Sequence, residues 1–274
     1  MKNQLREKPR SFISQFFKSL NHKQHPLQKT NSDNRYELMS LGTEYGGWTF
    51  VNSPSLKGST IISAGLGEDA SFDVEFANEF NARVIIVDPT PRAILHYNRL
   101  HERIGKANTA EYLEGGDQPV ESYDLTNINS DQLVLDTRAL WNEDAKIKFF
   151  QPTNPDNVSY SIVNFQNDYS DDGPFIEVDA CPIATLLADY DIDKTSLELL
   201  KLDIEGAEIE VIDSMIRDGI YPNQICVEFD ELQMNSEKAY SRVDMINELL
   251  EENGYKCVHT DGRKDFLFVR TSSF

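Results

Sequence analysis

The chain has 274 residues, 39% of them hydrophobic and 26% charged, with three cysteines and a formal net charge of −20. A chain of this size and composition builds a core that needs neither disulfide staples nor a structural metal, which excludes a disordered polymer and a small disulfide scaffold. The negative charge repels a nucleic-acid backbone, so no nucleic-acid partner is expected.

The charge is uneven. Residues 1–29 carry seven Lys or Arg against a single acid, Glu7, so a basic segment precedes an acidic body. Residues 1–34 read as a flexible N-terminal segment and residues 35–274 as one domain. In that segment Phe12, Ile13, Phe16, Phe17 and Leu20 are spaced to share a helix face. Such a face either docks loosely on the body or lies on a membrane surface or a partner; it is short and has no second anchor. No apolar run is long enough to span a bilayer or fits a signal-peptide core, so no transmembrane segment is expected and the location is read as cytoplasmic. Cys181, Cys226 and Cys257 lack a zinc spacing and are expected to be reduced and buried.

From about residue 36 the hydrophobic period alternates between that of strands and that of helices. Residues 59–104 read as strand, glycine turn, helix, strand and helix, with Phe72, Phe76 and Phe80 on one helix face. Residues 83–88 are an apolar run ending in an acid, the pattern of a parallel strand covered on both faces. Residues 105–131 read as a loop or insertion, 132–135 as a strand, and 146–150 and 159–163 as strands around a Pro/Asn turn. Beyond them the pattern predicts a helix over 183–190, a strand over 197–202, a helix over 208–217 and a strand over 224–229. A helix over 238–252 turns Val243, Ile246, Leu249 and Leu250 inward, and strands over 255–260 and 264–270 flank the Asp261-Gly262 turn of a terminal hairpin.

Gly65 and Gly67 follow the first strand of the 59–104 unit, where glycine lets the backbone turn tightly and approach a ligand at the carboxyl edge of a sheet. Asp88 closes the next strand about twenty residues later, the position from which a carboxylate accepts ribose hydroxyls. The alternative role for Asp88 is to cap the helix starting near Pro91, with Pro89 shaping the turn. Where a dinucleotide fingerprint has its third glycine, this chain has Glu68 and Asp69. Acids there repel a pyrophosphate and suit a ligand with sulfonium and ammonium groups, which favours S-adenosylmethionine over NAD.

The string LELLKLDIEGAEIEVIDSM delivers Asp203 and Glu205 to the end of an apolar strand, and Gly206 permits the turn into a helix. Two carboxylates at that edge orient or deprotonate a hydroxyl, bind a cofactor amino group, or hold a divalent cation. A helix dipole accounts for Glu208 and Glu210 but not for Lys201 and Asp203 inside an apolar strand.

The strings KLDIEGAE (201–208), DPTP (88–91), ICVEFDE (225–231) and DFLFVR (265–270) resemble the FkbM family of S-adenosylmethionine-dependent methyltransferases, over about residues 36–270. The resemblance implies a Rossmann-like α/β fold: a seven-stranded, mostly parallel sheet with an antiparallel last strand and helices on both faces. It also implies O-methylation of a hydroxyl on a sugar, glycan or polyketide-type natural product. Position by position it puts Gly65 and Gly67 in the cofactor loop, and Asp88 and Pro89 at the ribose. Asp203 and Glu205 stand beside the methyl group as catalytic residues, with Asp203 also touching the cofactor. Glu228 matches a strand-ending acid on the acceptor side, where His259 is the one histidine read as a site residue. Ser63 stands where the family usually has an acid that meets the methionine portion, a role left to Glu68 or Asp69. Segments 137–144 and 157–161 fall where adenine or acceptor contacts are implied, although Trp141 and Tyr160 read as packing aromatics. Acceptor choice is assigned to 105–131 and 168–174. Two other classes stay open: a nicotinamide-dependent oxidoreductase with the same βαβ start, and a cofactor-binding scaffold without turnover. A divalent cation remains open as well.

Overall fold

The computed structural model describes residues 24–150, 174–234 and 236–273. The apolar patch at 12–20, the expected strand at 159–163, the 157–161 segment with Tyr160, and residues 168–173 of the expected acceptor loop lie outside them.

A hairpin of β1 (Leu38–Leu41) and β2 (Trp48–Val51) opens the body. The strands β3 (Thr60–Ala64), β4 (Arg83–Val87) and β5 (Leu133–Asp136) follow. Then come β6 (Ala139–Leu140), β7 (Ala145–Phe150) and β8 (Phe175–Cys181), which form a separate small sheet. The remaining strands are β9 (Leu199–Leu202), β10 (Gln224–Glu228), β11 (Tyr255–Thr260) and β12 (Asp265–Arg270). Among the described residues seven strands make the central sheet, in the order β11-β12-β10-β9-β3-β4-β5. Its pairs from β10 to β5 are parallel, and β12 inserts antiparallel between β10 and β11. The terminal hairpin predicted from Asp261-Gly262 therefore supplies the antiparallel strand.

Both faces of the sheet are covered, which is why its strands read as continuous apolar runs. Ile62, Ala64, Leu200 and Leu202 pack on one side with α3 (Ile183–Asp189), α4 (Glu208–Arg217) and α5 (Glu237–Glu252). Ile61, Val84, Leu199 and Cys226 pack on the other with the hairpin, α1 (Ser71–Phe80) and α2 (Pro91–His101). Phe72, Phe76 and Phe80 do share a face, and Phe50 of β2 meets all three with ring centroids 5.3–6.2 Å apart. Gln224 fixes the hairpin to the sheet: its buried amide accepts from Val51 N at 2.7 Å and donates to Val51 O at 2.9 Å.

Within the segment that composition set apart, residues 24–34 pack on the body. Leu27 joins the core beneath α5, His25 Nε2 meets Asp244 at 2.9 Å, and Gln28 donates to the Arg263 carbonyl at 2.6 Å. The hairpin β1–β2 and the strands β6 and β8 have no counterpart in the sequence reading; β1 is half-exposed, and β8 alternates exposed and half-buried residues before ending in buried Ala180 and Cys181.

Parallel strands bring their carboxyl ends to one edge. Gly65, Asp88, Asp203 and Glu228 meet there, and the antiparallel course of β12 brings its first residue to the same edge, because Glu228 pairs with Asp265. The fold thus gathers on one rim the residues that four separate sequence strings supplied.

Candidate active site

A cavity of about 400 Å³ opens along this rim, a size that small-ligand sites occupy. Its walls are the glycine turn at 65–69, the strand end at 87–90, the loop 203–205, Glu228, the hairpin turn at 44–48 and the loop 261–265.

The glycine turn is held from two sides. Gly65 has φ +87, and a Cβ there would lie 1.8 Å from the Asp203 carbonyl oxygen, so only glycine lets the end of β9 pass so close. Asp88 Oδ2 accepts from Leu66 N at 2.9 Å and from Gly67 N at 3.0 Å, while Oδ1 accepts from Thr90 N at 2.8 Å and Thr90 Oγ1 at 2.7 Å. A carboxylate has about four acceptor sites. Asp88 therefore lines the cavity with its lone pairs already engaged, combining loop clamp and turn former.

The 203–208 loop is locked in a costly conformation. Glu205 adopts φ +58, where a side chain costs of order 1–3 kcal/mol. The buried Glu208 carboxylate compensates by accepting from Ile204 N at 2.8 Å and Gly206 N at 2.9 Å. Glu208 thus holds the loop directly, beyond any interaction with the helix dipole.

Nine carboxylates and three cations line the cavity, so its field opposes an anionic ligand. Burial raises the Asp203 carboxyl, while Lys201 and Lys264 pull it down. Burial also raises Glu228, joined by the Asp203 and Asp230 charges, against the pull of Lys264, with which Glu228 forms an ion pair. Burial works against the Lys264 ammonium, but Glu228, Asp230 and Asp203 hold it above its ordinary value. Asp265 is raised to about 6 by burial and by Asp261, and one of its oxygens is buried without a hydrogen-bond partner. The rim is a dense carboxyl cluster poised to take up a proton.

The structure brings Gly65, Gly67, Glu68, Asp69, Asp88, Pro89, Asp203, Glu205 and Glu228 to this cavity. Two expected site residues stand apart from its lining. Ser63 is buried on the α1 side of β3, and His259, on the outermost strand, is held by Ser32 Oγ at 2.8 Å from Nδ1. Glu68 pairs with Arg92, and Asp69 accepts from Thr43 Oγ1 at 2.6 Å and Ser71 N at 2.9 Å. Both acids thus support the loop as well as its field. Sequence reasoning did not assign Lys201, Lys264, Arg263 or Tyr45 to the site, and only Lys201 carried a signal, as a cation in an apolar strand. Trp141 packs against the small sheet and does not line the cavity. Among the described residues no group of three or more His, Cys, Asp or Glu side chains is arranged to hold a metal ion, and no helix is long and apolar enough to cross a membrane.

A family model described as "Methyltransferase FkbM domain" matches residues 73–257, more than half of the chain. No curated protein and no solved structure matches significantly.

Proposed function

Because the chain belongs to the FkbM methyltransferase family, we propose that it is an S-adenosylmethionine-dependent O-methyltransferase with a Rossmann-like fold, acting in the cytoplasm on a hydroxyl of a sugar, glycan or natural product. The observation that carries this reading is the meeting of Gly65 and Asp203, which sets a base candidate against the glycine turn within one cavity.

The donor set fits such a cofactor. The turn at 65–67 offers backbone for close approach, Asp88 at the end of β4 would take the nucleoside end, and the surplus of carboxylates suits sulfonium and ammonium charge. Bound there, S-adenosylmethionine supplies an electrophilic methyl group. Asp88 would reach a ribose hydroxyl by releasing the Thr90 hydroxyl. Glu205, Glu228 and Lys264 line the wall beside Asp203 and orient the acceptor, and a carboxylate oxygen of Asp203 takes its hydroxyl proton. A positioned base contributes roughly 10²–10⁴-fold and orientation roughly 7–11 kcal/mol, so geometry supplies most of the rate.

Titration calorimetry with S-adenosylmethionine and S-adenosylhomocysteine tests the first half of the reading. Mass spectrometry of cell extracts incubated with the protein and isotopically labelled methyl donor tests the second. Saturable binding and a labelled product are expected. A folded protein that binds neither compound would overturn the reading.

A further inference from the structure

Ser63 and Lys201 are direct partners across the parallel pair β3–β9. Both face α1, since their strand neighbours Ile62, Ala64, Leu200 and Leu202 face the opposite side. Helix α1 places Asp73 beneath them, 1% exposed, with Oδ1 lacking a hydrogen-bond partner. At this level β3 contributes a serine, α1 an acid and β9 a cation.

Lys201 is 3% exposed and yet lines the cavity. Its Nζ donates to Gly65 O at 2.5 Å and Ala64 O at 3.3 Å, and stands 5.6 Å from the Trp48 ring centroid. An ammonium has three donors. Two are used on carbonyls, and among the described residues no carboxylate lies within ion-pair distance of this nitrogen. A buried cation without a contacting anion is costly. Burial raises the Asp73 carboxyl to about 6 and the Lys201 charge pulls it down, so each group favours the charged form of the other across the interior.

We propose that Lys201 is the carboxylate-binding residue of the cavity, taking the α-carboxylate of a ligand's amino-acid group on its remaining N–H, with Asp73 as its buried counter-charge. The surrounding acids supply the complementary half, a site for the α-ammonium. A phosphate fits worse: Lys264 is already bound to Glu228, and a dianion would face the whole carboxylate wall. The assignment rests on the proposed cofactor reading and names which residue reads the amino-acid end.

Calorimetry on the full chain with two ligands tests it: S-adenosylhomocysteine, which carries the amino-acid group, and 5′-methylthioadenosine, which lacks it. Lys201→Met should weaken S-adenosylhomocysteine about tenfold or more, the value of a hydrogen bond to a charged group, and leave 5′-methylthioadenosine within about twofold. Equal weakening of both ligands, or of neither, overturns the assignment, the former because Lys201 would then act only through the shape of the glycine turn. If Lys201→Met does not fold, the double variant Asp73→Asn/Lys201→Met, which removes both buried charges, carries the same expectation. Wild-type protein that binds the two ligands equally overturns the Lys201 assignment alone. Wild-type protein that binds neither overturns the cofactor reading as well.

Discussion

The carbonyl oxygen of Asp203 occupies the space that a Cβ at position 65 would need, 1.8 Å away, and Gly65 sits at φ +87. Gly65→Ala therefore meets two penalties, a left-handed backbone and a backbone clash that no side-chain rotation relieves. The end of β9 must move away from the glycine turn. Chemical denaturation should show a loss of about 2 kcal/mol or more, with cofactor affinity falling in the fraction that folds. Unchanged stability would mean that the close approach is absent in solution.

A second expectation concerns the saturation of Asp88. Its Oδ1 already accepts from the Thr90 hydroxyl at 2.7 Å, so a ribose hydroxyl must compete for that lone pair. Thr90→Val removes the competitor and leaves the Thr90 backbone donor in place. Affinity for S-adenosylhomocysteine should rise by about 1 kcal/mol, the net worth of one neutral hydrogen bond. Equal or weaker binding by calorimetry would place the ribose elsewhere.

How far the sequence reaches depends on how local the causes are. The runs of β3, β4, β9 and β10 are visible because burial on both faces keeps them largely apolar, with Ser63, Lys201 and Gln224 as isolated polar intruders. Asp88 and Asp203 were visible because each ends such a run. Glu208 was read as a helix-dipole acid, since nothing in its spacing reveals a side chain folding back onto Ile204 N. His259 was assigned to the acceptor side from nearness in sequence to the hairpin turn. The sheet instead places it on outermost β11, where a register shift intervenes between Cys257 and His259. Lys264, at the other end of the same turn, reaches the cavity because β12 lies beside β10. The β1–β2 hairpin stayed hidden because its role depends on Gln224, some 173 residues distant.

That long-range staple yields a third test. Replacing Gln224 by Leu keeps the volume close but leaves the Val51 N–H and carbonyl without the partner seen at 2.7 and 2.9 Å. An unpaired buried polar group costs about 1–3 kcal/mol, so urea denaturation should report a loss of about 2–4 kcal/mol. The turn at 44–47, which lines the cavity, should become more susceptible to proteolysis. A variant as stable as wild type would show that Val51 finds other partners.

Asp73 gives a pH signature. Burial, the largest cause, raises its carboxyl from the ordinary 3.8 to about 6 in the fold. The native state therefore holds the proton more tightly, and this contribution to stability is complete below the unfolded value and lost as pH rises through about 6. Asp73→Asn stays neutral throughout. The melting temperature of the variant relative to wild type should rise between pH 4 and 6 and then level off, corresponding to a change of up to about 3 kcal/mol. A difference that does not vary with pH would mean Asp73 keeps an ordinary carboxyl in the fold.

The last expectation concerns the proposed base. Burial raises the Asp203 carboxyl, Lys201 and Lys264 lower it, and Asp230 and Asp88 raise it. A base must be ionised before it accepts a proton, so kcat/KM for methyl transfer should increase with pH through an apparent value above the ordinary carboxylate range. The Asp203 charge raises Glu228, and Asp230 raises both, so the observed step belongs to the cluster and not to one residue. Removing a nearby cation shifts that step upward: Lys264→Met should move the profile to higher pH while Asp203 remains in place. Asp203→Asn preserves shape and removes basicity, so turnover should fall roughly 10²-fold or more with cofactor affinity largely intact. Loss of wild-type activity on chelation, with recovery in Mg²⁺ or Mn²⁺, would assign Asp203 to a divalent cation instead. Full activity in the Asn variant would exclude Asp203 as the base and move the role to Glu205 or Glu228, the carboxylates that share its wall of the cavity.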